Sequence, residues 1–280
     1  MPDNLRLGDI EFLNSWPVTY ALAQGIVSAP AELVRAAPAA LNAQLEAGTL
    51  DASAVSAMAY LRHADDWSLL PDLAIGSESG VNSVVLVSRV PLLALAGQAI
   101  AVTAQGATTP VLLRVLLEQA HGLQARYVTA DVRFPDVLRD YPAALLIGDD
   151  ALRALPAARD DYFTWDLGAL WRQWTGLPMV YAVWAVRRPV AAERPELVGR
   201  VHDALLASKR WGLAHLDDVA RAAAATTGFA ESVVRDYFRG IRYDLDDPAR
   251  AGLRRYAEAV ERLEKGPRAH AALLSEGRAW

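Results

Sequence analysis

The stretch LRLGDIEFLNSWPVTYALAQG, residues 5–25, decides the fold class. Its start, LRLGDIEFL, predicts a β-strand, and the apolar-periodic VTYALAQ predicts a helix that ends at Gly25. Between them stands NSWP, residues 14–17, where a hydroxyl residue closely followed by a proline is typical of a helix start. A strand that runs through a polar loop into a helix is a basic unit of α/β folds.

The same pattern returns in QAIAVTAQGATTPVLLRVLLEQAHG, residues 98–122. A second matching pair consists of LDASAVS, residues 50–56, and ALLIGDD, residues 144–150, each of which predicts a buried strand running into a helix N-terminus. Four such helix N-termini around one crevice would suit an anionic ligand. The sequence therefore predicts two related α/β lobes with a central cleft.

Two segments mark the crossings between the lobes. NSVVLVSRVP, residues 82–91, predicts a strand that leaves lobe one, and LPMVYAVWAVRRP, residues 177–189, predicts the strand that returns. We therefore expect a discontinuous lobe one, residues 1–88 plus 184–280, and an inserted lobe two, residues 89–183. From residue 195 onward the period is helical and predicts packing helices on the outside of lobe one, without a chemical motif.

Composition excludes several classes of function. The net charge of −5 gives no basic surface for a nucleic acid, and the absence of cysteine excludes disulfides, thiolate metal sites and a cysteine nucleophile. No pair of histidines has the spacing of metal ligands, and no nucleotide-binding motif occurs, so no cofactor is predicted. The histidines are His63, His121, His202, His215 and His270.

The N-terminus predicts a cytoplasmic protein. MPDNLRLGDIEFLNSWP lacks the basic start and apolar run of a secretory signal, and no segment approaches the roughly 20 apolar residues of a membrane span. We expect no membrane partner. The oligomeric state is left open between monomer and homodimer.

Two junctions offer candidate ligand groups. Asn14 and the backbone donors after it could bind a carboxylate or hydroxyl while Trp16 walls the pocket, although a plain helix cap with a core tryptophan explains the same residues. Thr108 and Thr109 follow Gly106, where small residues let a ligand approach the backbone; a capped helix is again the alternative.

Two further positions follow polar runs or strands. Ser83 begins the strand VVLV and could face the crevice, whereas the small polar residues 76–80 before it also fit a surface turn. Asp149 and Asp150 stand at a strand end, where α/β folds place their sites, and burial could raise the pKa of one of them for acid–base work. The alternative for either is a helix N-cap.

Taken together, these residues resemble the menaquinone-biosynthesis enzymes that dehydrate chorismate in the futalosine route. The resemblance runs in order through FLNSWP, LNAQLEAGTLDASAVSAMAYL, LLPDLAIGSESGVNSVVLVS, AVTAQGATTPVLLRVLL, LLIGDDAL and DLGALWRQWTGLPMVYAVW. It implies a two-lobed fold of the type II periplasmic-binding-protein kind and a lyase without a cofactor. Asn14 and Ser83 would be catalytic. The residues expected to bind chorismate, a small anionic substrate, are Ser15, Trp16, Ser56, Thr108, Thr109, Gly148 and Asp149.

The resemblance leaves the proton acceptor and two rival functions open. No histidine falls in the matching stretches, so we hypothesise that the enolpyruvyl carboxylate of the substrate accepts the proton. One rival is the sister enzyme that forms 1,4-dihydroxy-6-naphthoate, for which we expect a histidine in the site. The other is a non-catalytic protein that binds a small anion, because a fold does not determine a function.

Overall fold

The computed structural model describes residues 4–264, which form a six-stranded sheet and a five-stranded sheet flanked by helices. The strands are β1 Leu5–Ile10, β2 Ala31–Ala36, β3 Ala52–Ser56, β4 Trp67–Ser77, β5 Val84–Ser88, β6 Ala99–Val102, β7 Arg126–Thr129, β8 Ala143–Ile147, β9 Phe163–Asp166, β10 Met179–Arg187 and β11 Ile241–Arg242. The helices are α1 Trp16–Ala23, α2 Pro38–Glu46, α3 Ala57–Arg62, α4 Thr108–Val115, α5 Val137–Asp140, α6 Gly148–Asp161, α7 Leu167–Thr175, α8 Arg188–Glu193, α9 Pro195–Ala214, α10 Leu216–Thr227, α11 Glu231–Gly240 and α12 Asp247–Glu264.

The six-stranded sheet has the order β11-β4-β10-β3-β1-β2. Strand β1 is parallel to β2 and β3, and β10 runs antiparallel between β3 and β4. Strands β3 and β10 are buried almost throughout because helices cover both faces of the sheet centre, which explains their continuous apolar sequences. Trp184 on β10 is fully buried in this core.

The five-stranded sheet has the order β7-β6-β8-β5-β9. Strand β6 is parallel to β7 and β8, and β5 runs antiparallel to both β8 and β9. Each sheet therefore has three neighbouring parallel strands followed by one antiparallel strand, which is β10 in the six-stranded sheet and β5 in the five-stranded sheet. The predicted α/β class, with two lobes, is confirmed.

The chain passes between the sheets at two short segments. It leaves the six-stranded sheet after Ser77 and enters the five-stranded sheet at Val84, so the strand predicted to leave lobe one already pairs with lobe two. It returns between Thr175 at the end of α7 and Met179 at the start of β10. The division at residues 88 and 184 stays a prediction, and its 265–280 part lies outside the described residues.

The second crossing is made by the motif Trp-x-x-x-Thr-Gly-Leu-Pro. The Thr175 hydroxyl donates to the carbonyl of Trp171 at 2.8 Å and accepts the N–H of Leu177 at 3.2 Å. Gly176 ends α7 in a left-handed conformation, with φ of 72°, which glycine adopts without strain. The motif thus ends a helix and turns the chain into β10.

The predicted strand-to-helix junctions are confirmed, but a hydroxyl caps the helix at one of the four, the start of α3. Helices α1, α3, α4 and α6 begin where expected. Ser15 and Ala107 are the N-cap residues of α1 and α4, and neither side chain bonds the first helical turn. Ile147 caps α6, so the prediction that Asp149 or Asp150 is an N-cap is wrong. Only Ser56 accepts a backbone N–H as a helix-capping hydroxyl should, from Ala59 at 3.2 Å.

Helix α9 holds the C-terminal helices against the start of the chain. A Cβ on Gly212 would lie 2.1 Å from the carbonyl oxygen of Pro17, so the backbones of α9 and α1 are in direct contact. Helix α1 begins directly after the turn that carries Asn14. The packing of α9 therefore fixes the position of this turn relative to the six-stranded sheet.

We predict that Gly212→Ala lowers the free energy of unfolding by about 1–3 kcal/mol, because the added methyl group must push α9 away from Pro17. The matched control is Gly199→Ala on the same helix, where an added Cβ has no atom within 4 Å. That variant should gain up to ~1 kcal/mol from helix propensity. Urea denaturation measures both values, and equal stability of the two variants would contradict the close contact.

Candidate active site

A pocket lies between the two sheets, at the four predicted strand-to-helix junctions. It encloses about 650 Å³ of empty space, including its mouth. Residues from both sheets and from the C-terminal helices form its wall. They are Ile10, Phe12, Asn14, Pro38, Ser56, Ile75, Val81, Ser83, Val84, Gln105, Gly106, Ala107, Thr108, Thr109, Ile147, Gly148, Tyr181, Ala182, Tyr237 and Ile241.

Asn14 reaches the pocket from a short 3₁₀ turn, Leu13–Ser15, between β1 and α1. Its Oδ1 atom is buried and has no hydrogen-bond partner within residues 4–264. A buried amide oxygen without a partner is unfavourable in the free protein, and a ligand hydroxyl would satisfy it. Asn14 is therefore available for binding.

Ser83 lies directly before β5 on the opposite side of the pocket. Its hydroxyl oxygen accepts a hydrogen bond from the Tyr237 hydroxyl at 3.1 Å. Its carbonyl accepts the N–H of Gly148 at 2.7 Å, which joins the junction before β5 to the one after β8. Both side chain and backbone of Ser83 are thus fixed by neighbours.

Ser56 ends β3 and is held by Asn42 of α2. The Asn42 amide donates to the Ser56 hydroxyl oxygen at 3.2 Å and accepts the Ser56 N–H at 3.2 Å. With the bond from Ala59, two bonds end on this hydroxyl oxygen, so its own proton is left for a ligand.

The two adjacent threonines of α4 have different surroundings. Thr108 donates its hydroxyl proton to the carbonyl of Tyr181 at 3.1 Å and accepts the N–H of Met58 at 3.0 Å, which ties α4 to the six-stranded sheet. The Thr109 hydroxyl oxygen is buried and finds no partner in the part of the chain that is described. Both line the pocket, but only the Thr109 hydroxyl is free for a ligand.

Gly148 lines the pocket in a left-handed conformation, with φ of 59°, close to the ring of Phe12. The next residue, Asp149, lies behind the pocket wall. Its carboxylate accepts the N–H of Leu13 at 3.3 Å, so it bonds the turn that carries Asn14 across the cleft. Burial raises the pKa of Asp149 above its ordinary value.

Ser15 and Trp16 stand outside the pocket wall. The buried Ser15 hydroxyl donates to the carbonyl of Ile10 at 2.8 Å. The Trp16 ring stacks on Tyr20 at 5.9 Å, and the Arg35 guanidinium lies 5.3 Å from its centroid. Both residues support the turn that places Asn14, and direct contact with a substrate stays a prediction for them.

Among residues 4–264, no charged side chain lines the pocket. Burial raises the pKa of Tyr181 and Tyr237 far above the ordinary tyrosine value, so both hydroxyls keep their protons. Behind the wall, the positive charges of Arg153 and Arg35 oppose the rise in the pKa of Asp149. The wall thus offers neutral donors and acceptors.

Sequence reasoning missed the tyrosines and Asn42. Tyr237 belongs to α11, one of the helices predicted only to pack, and that prediction is wrong for this residue. Tyr181 lies within the apolar run of β10, so its hydroxyl did not stand out as a polar group in the sequence. Asn42, one of two amides in α2, lies next to the buried Leu41 and carried a weak signal that could have been followed.

Neither a histidine nor a metal-binding group is part of the pocket. His63, His121, His202 and His215 lie away from its wall, and His270 is outside the described residues. Among residues 4–264, no three His, Cys, Asp or Glu side chains come together as metal ligands would. None of the helices described here has the length and apolar character needed to cross a membrane.

The fold defines a class, the two-lobed α/β proteins with the periplasmic-binding-protein fold, as the sequence predicted. The periplasmic aliphatic sulphonate binding protein of Escherichia coli is similar with a TM-score of 0.68 at 14% identity, over 95% of this chain and 93% of that one. A crystal structure of a protein from Archaeoglobus fulgidus is similar with a TM-score of 0.77 at 20% identity, over 94% and 99% of the two chains.

Within this class, the chain belongs to the menaquinone biosynthesis family, whose sequence model matches residues 5–262. A chorismate dehydratase of Thermus thermophilus is 36% identical over 242 residues, which cover 81% of this chain and 86% of that relative. The resemblance found in the sequence is therefore confirmed.

The raised pKa of Asp149 predicts a pH-dependent effect of Asp149→Asn. Because the folded state binds this proton more tightly than the unfolded state, ionisation costs stability as pH rises from 3.8, the ordinary value, through the raised one. The asparagine variant keeps an oxygen for the Leu13 N–H but cannot ionise. It should gain stability relative to the wild type between pH 4 and pH 7.

Urea denaturation at both pH values measures this difference. The exposed Asp203 on α9 is the control position, and Asp203→Asn should change the free energy of unfolding by less than ~0.5 kcal/mol at either pH. If the difference in the free energy of unfolding between the wild type and Asp149→Asn stayed constant from pH 4 to pH 7, the pKa of Asp149 would not be raised in the folded protein.

Proposed function

We propose that this chain is a chorismate dehydratase, a carbon–oxygen lyase that removes water from chorismate to give 3-[(1-carboxyvinyl)oxy]benzoate. The observation that carries the proposal is the 36% identity to the Thermus thermophilus chorismate dehydratase over 81% of the chain, within the menaquinone biosynthesis family. The reaction would serve the futalosine route in the cytoplasm.

The free polar groups of the pocket suit such a substrate. Chorismate carries two carboxylates and a ring hydroxyl, and the pocket offers a buried amide at Asn14 with hydroxyls at Ser56, Ser83 and Thr109. Helices α4 and α6 begin at the pocket and add the partial positive charge of their N-termini. These groups support binding of a small anion without a metal or nucleotide.

The reaction asks little chemical help from the protein. A proton leaves the carbon that bears the enolpyruvyl ether, hydroxide leaves the ring, and the two combine to water while the ring becomes aromatic. Because aromatisation supplies the driving force, orientation and stabilisation of the departing hydroxide are the main contributions of an enzyme. Uncharged donors are sufficient for both tasks.

We assign Asn14 to the orientation of the substrate and Ser83 to the departing hydroxide. The proton acceptor is the enolpyruvyl carboxylate of the substrate itself, since the described part of the chain places no imidazole or carboxylate in the pocket wall. The nearest acid, Asp149, faces the N–H of Leu13. The sister enzyme that forms 1,4-dihydroxy-6-naphthoate is less well supported, because no histidine from residues 4–264 lines the pocket.

The test of the function is direct. We expect purified protein to convert chorismate to the enolpyruvyl-oxybenzoate without added metal or nucleotide, as measured by ultraviolet absorbance and product analysis. Chorismate that stays intact with well-folded protein would favour the sister enzyme or a binding protein. Calorimetric titration with chorismate separates those two, because only the binding protein would bind chorismate without turnover.

Removal of either proposed catalytic group should slow turnover. We expect Asn14→Ala and Ser83→Ala each to lower kcat by roughly 10²-fold, the usual loss when one transition-state hydrogen bond is removed. The exposed residues Asn4 and Ser79 provide the matched controls Asn4→Ala and Ser79→Ala, which should retain the wild-type rate. A wild-type rate in both pocket variants would remove Asn14 and Ser83 from the mechanism.

A further inference from the structure

The contact between Tyr237 and Ser83 joins two distant parts of the chain inside the pocket. The Tyr237 hydroxyl donates to the Ser83 hydroxyl oxygen at 3.1 Å, and 154 residues separate the two in sequence. Tyr237 is 4% exposed and Ser83 is 5% exposed, so water cannot easily replace either partner. Both residues line the pocket.

The direction of this bond determines where the Ser83 proton points. A serine hydroxyl has one proton and two lone pairs, and the tyrosine proton occupies one lone pair. Burial raises the pKa of Tyr237, so the phenol remains a donor at physiological pH. No acceptor for the Ser83 proton is found among residues 4–264, which leaves that proton for a ligand in the pocket.

The backbone segments that carry Tyr237 and Ser83 are both connected to β4. Strand β11 begins directly after α11 and pairs with the end of β4, with Ile241 opposite Ser77. Ser83 follows Ser77 by six residues, and Tyr237 precedes Ile241 by four. Glu78 at the start of the crossing segment binds Arg242 of β11 at 3.0 Å and Arg172 of α7 at 2.8 Å. The distance between the two hydroxyls is therefore set by rigid elements.

We propose that Tyr237 is a positioning residue for dehydration. Its hydroxyl holds the Ser83 hydroxyl in the orientation that directs the Ser83 proton into the pocket, toward the departing hydroxide. Ser83 thus acts as a hydrogen-bond donor rather than as a base. This inference rests on the proposed function for its chemical meaning, whereas the orientation of Ser83 can be tested without it.

A double-mutant cycle tests whether Tyr237 acts through Ser83. We expect Tyr237→Phe, which preserves the ring, to lower kcat for chorismate about tenfold, the equivalent of one hydrogen bond, and to change KM less than about threefold. In the Ser83→Ala background the same substitution should have no further effect on kcat. A wild-type kcat in Tyr237→Phe, or full additivity in the double variant, would overturn the proposal.

Tyr243 provides the matched control. It is also buried, on the chain just after β11, and its hydroxyl has no hydrogen-bond partner in the described part of the chain. Tyr243→Phe should therefore leave kcat and KM unchanged. A loss of kcat in this control equal to that in Tyr237→Phe would show a general packing effect and would overturn the specific role of Tyr237.

Crystal structures of the wild type and Tyr237→Phe give a second readout that does not depend on turnover. The proposal expects one Ser83 rotamer, bonded to Tyr237, in the wild type, and a different or mixed rotamer in the variant. An unchanged single rotamer in both would overturn it. If the wild type leaves chorismate intact, the proposed function fails, and these structures still decide whether Tyr237 orients Ser83.

Discussion

Two crossing segments join the two sheets, and the carboxylate of Asp166 binds the first of them to the start of α7. It accepts backbone N–H groups from Val81 at 2.9 Å and Asn82 at 2.6 Å, in the first crossing segment, and from Gly168 and Ala169 at the start of α7. Burial raises the pKa of this carboxyl group, and the four donors oppose that rise. One side chain therefore joins the departing chain to the helix that leads back, and it fixes the segment that ends at Ser83.

The first crossing segment is held in place in this way, and the pocket beside it is lined by neutral groups. Its amide and hydroxyls are individually weak, so they contribute to catalysis only if they are held in the correct geometry before the substrate arrives. The structure supplies such supports for three of them. Asn42 supports Ser56, and Tyr237 supports Ser83. The turn that carries Asn14 is held by the hydrogen bond that the Leu13 N–H donates to Asp149. Each support comes from an element other than the one that bears the group it holds.

Because each supporting residue lies on a different element from the group it holds, the sequence predicted some parts of the site and not others. The strand-to-helix junctions follow from local patterns of apolar residues, proline and glycine, so all four were found, and with them Asn14, Ser56 and Thr109. Ser83 was found separately, as a polar residue at the start of a predicted strand. Which strands pair with each other depends on distant parts of the chain. The segment of β5 was therefore recognised as a strand, but its place in the five-stranded sheet was not recognised. Hydroxyls on adjacent residues look alike in a sequence, whereas Thr108 ties α4 to β10 and Thr109 stays free. Tyr237 was missed because only the pairing of β11 with β4 brings it to Ser83.

The position of Tyr237 near the end of the described chain also has a consequence for biosynthesis. Every other polar group of the pocket is encoded before residue 182, and the ribosome makes the protein from the N-terminus. During translation, the nascent chain can pair both sheets only after β10 has emerged, and Ser83 stays without its tyrosine partner until α11 follows. The emerging polypeptide therefore has an incomplete pocket until α11 has been made, so it cannot engage its substrate in the finished geometry before that helix has packed against the two sheets.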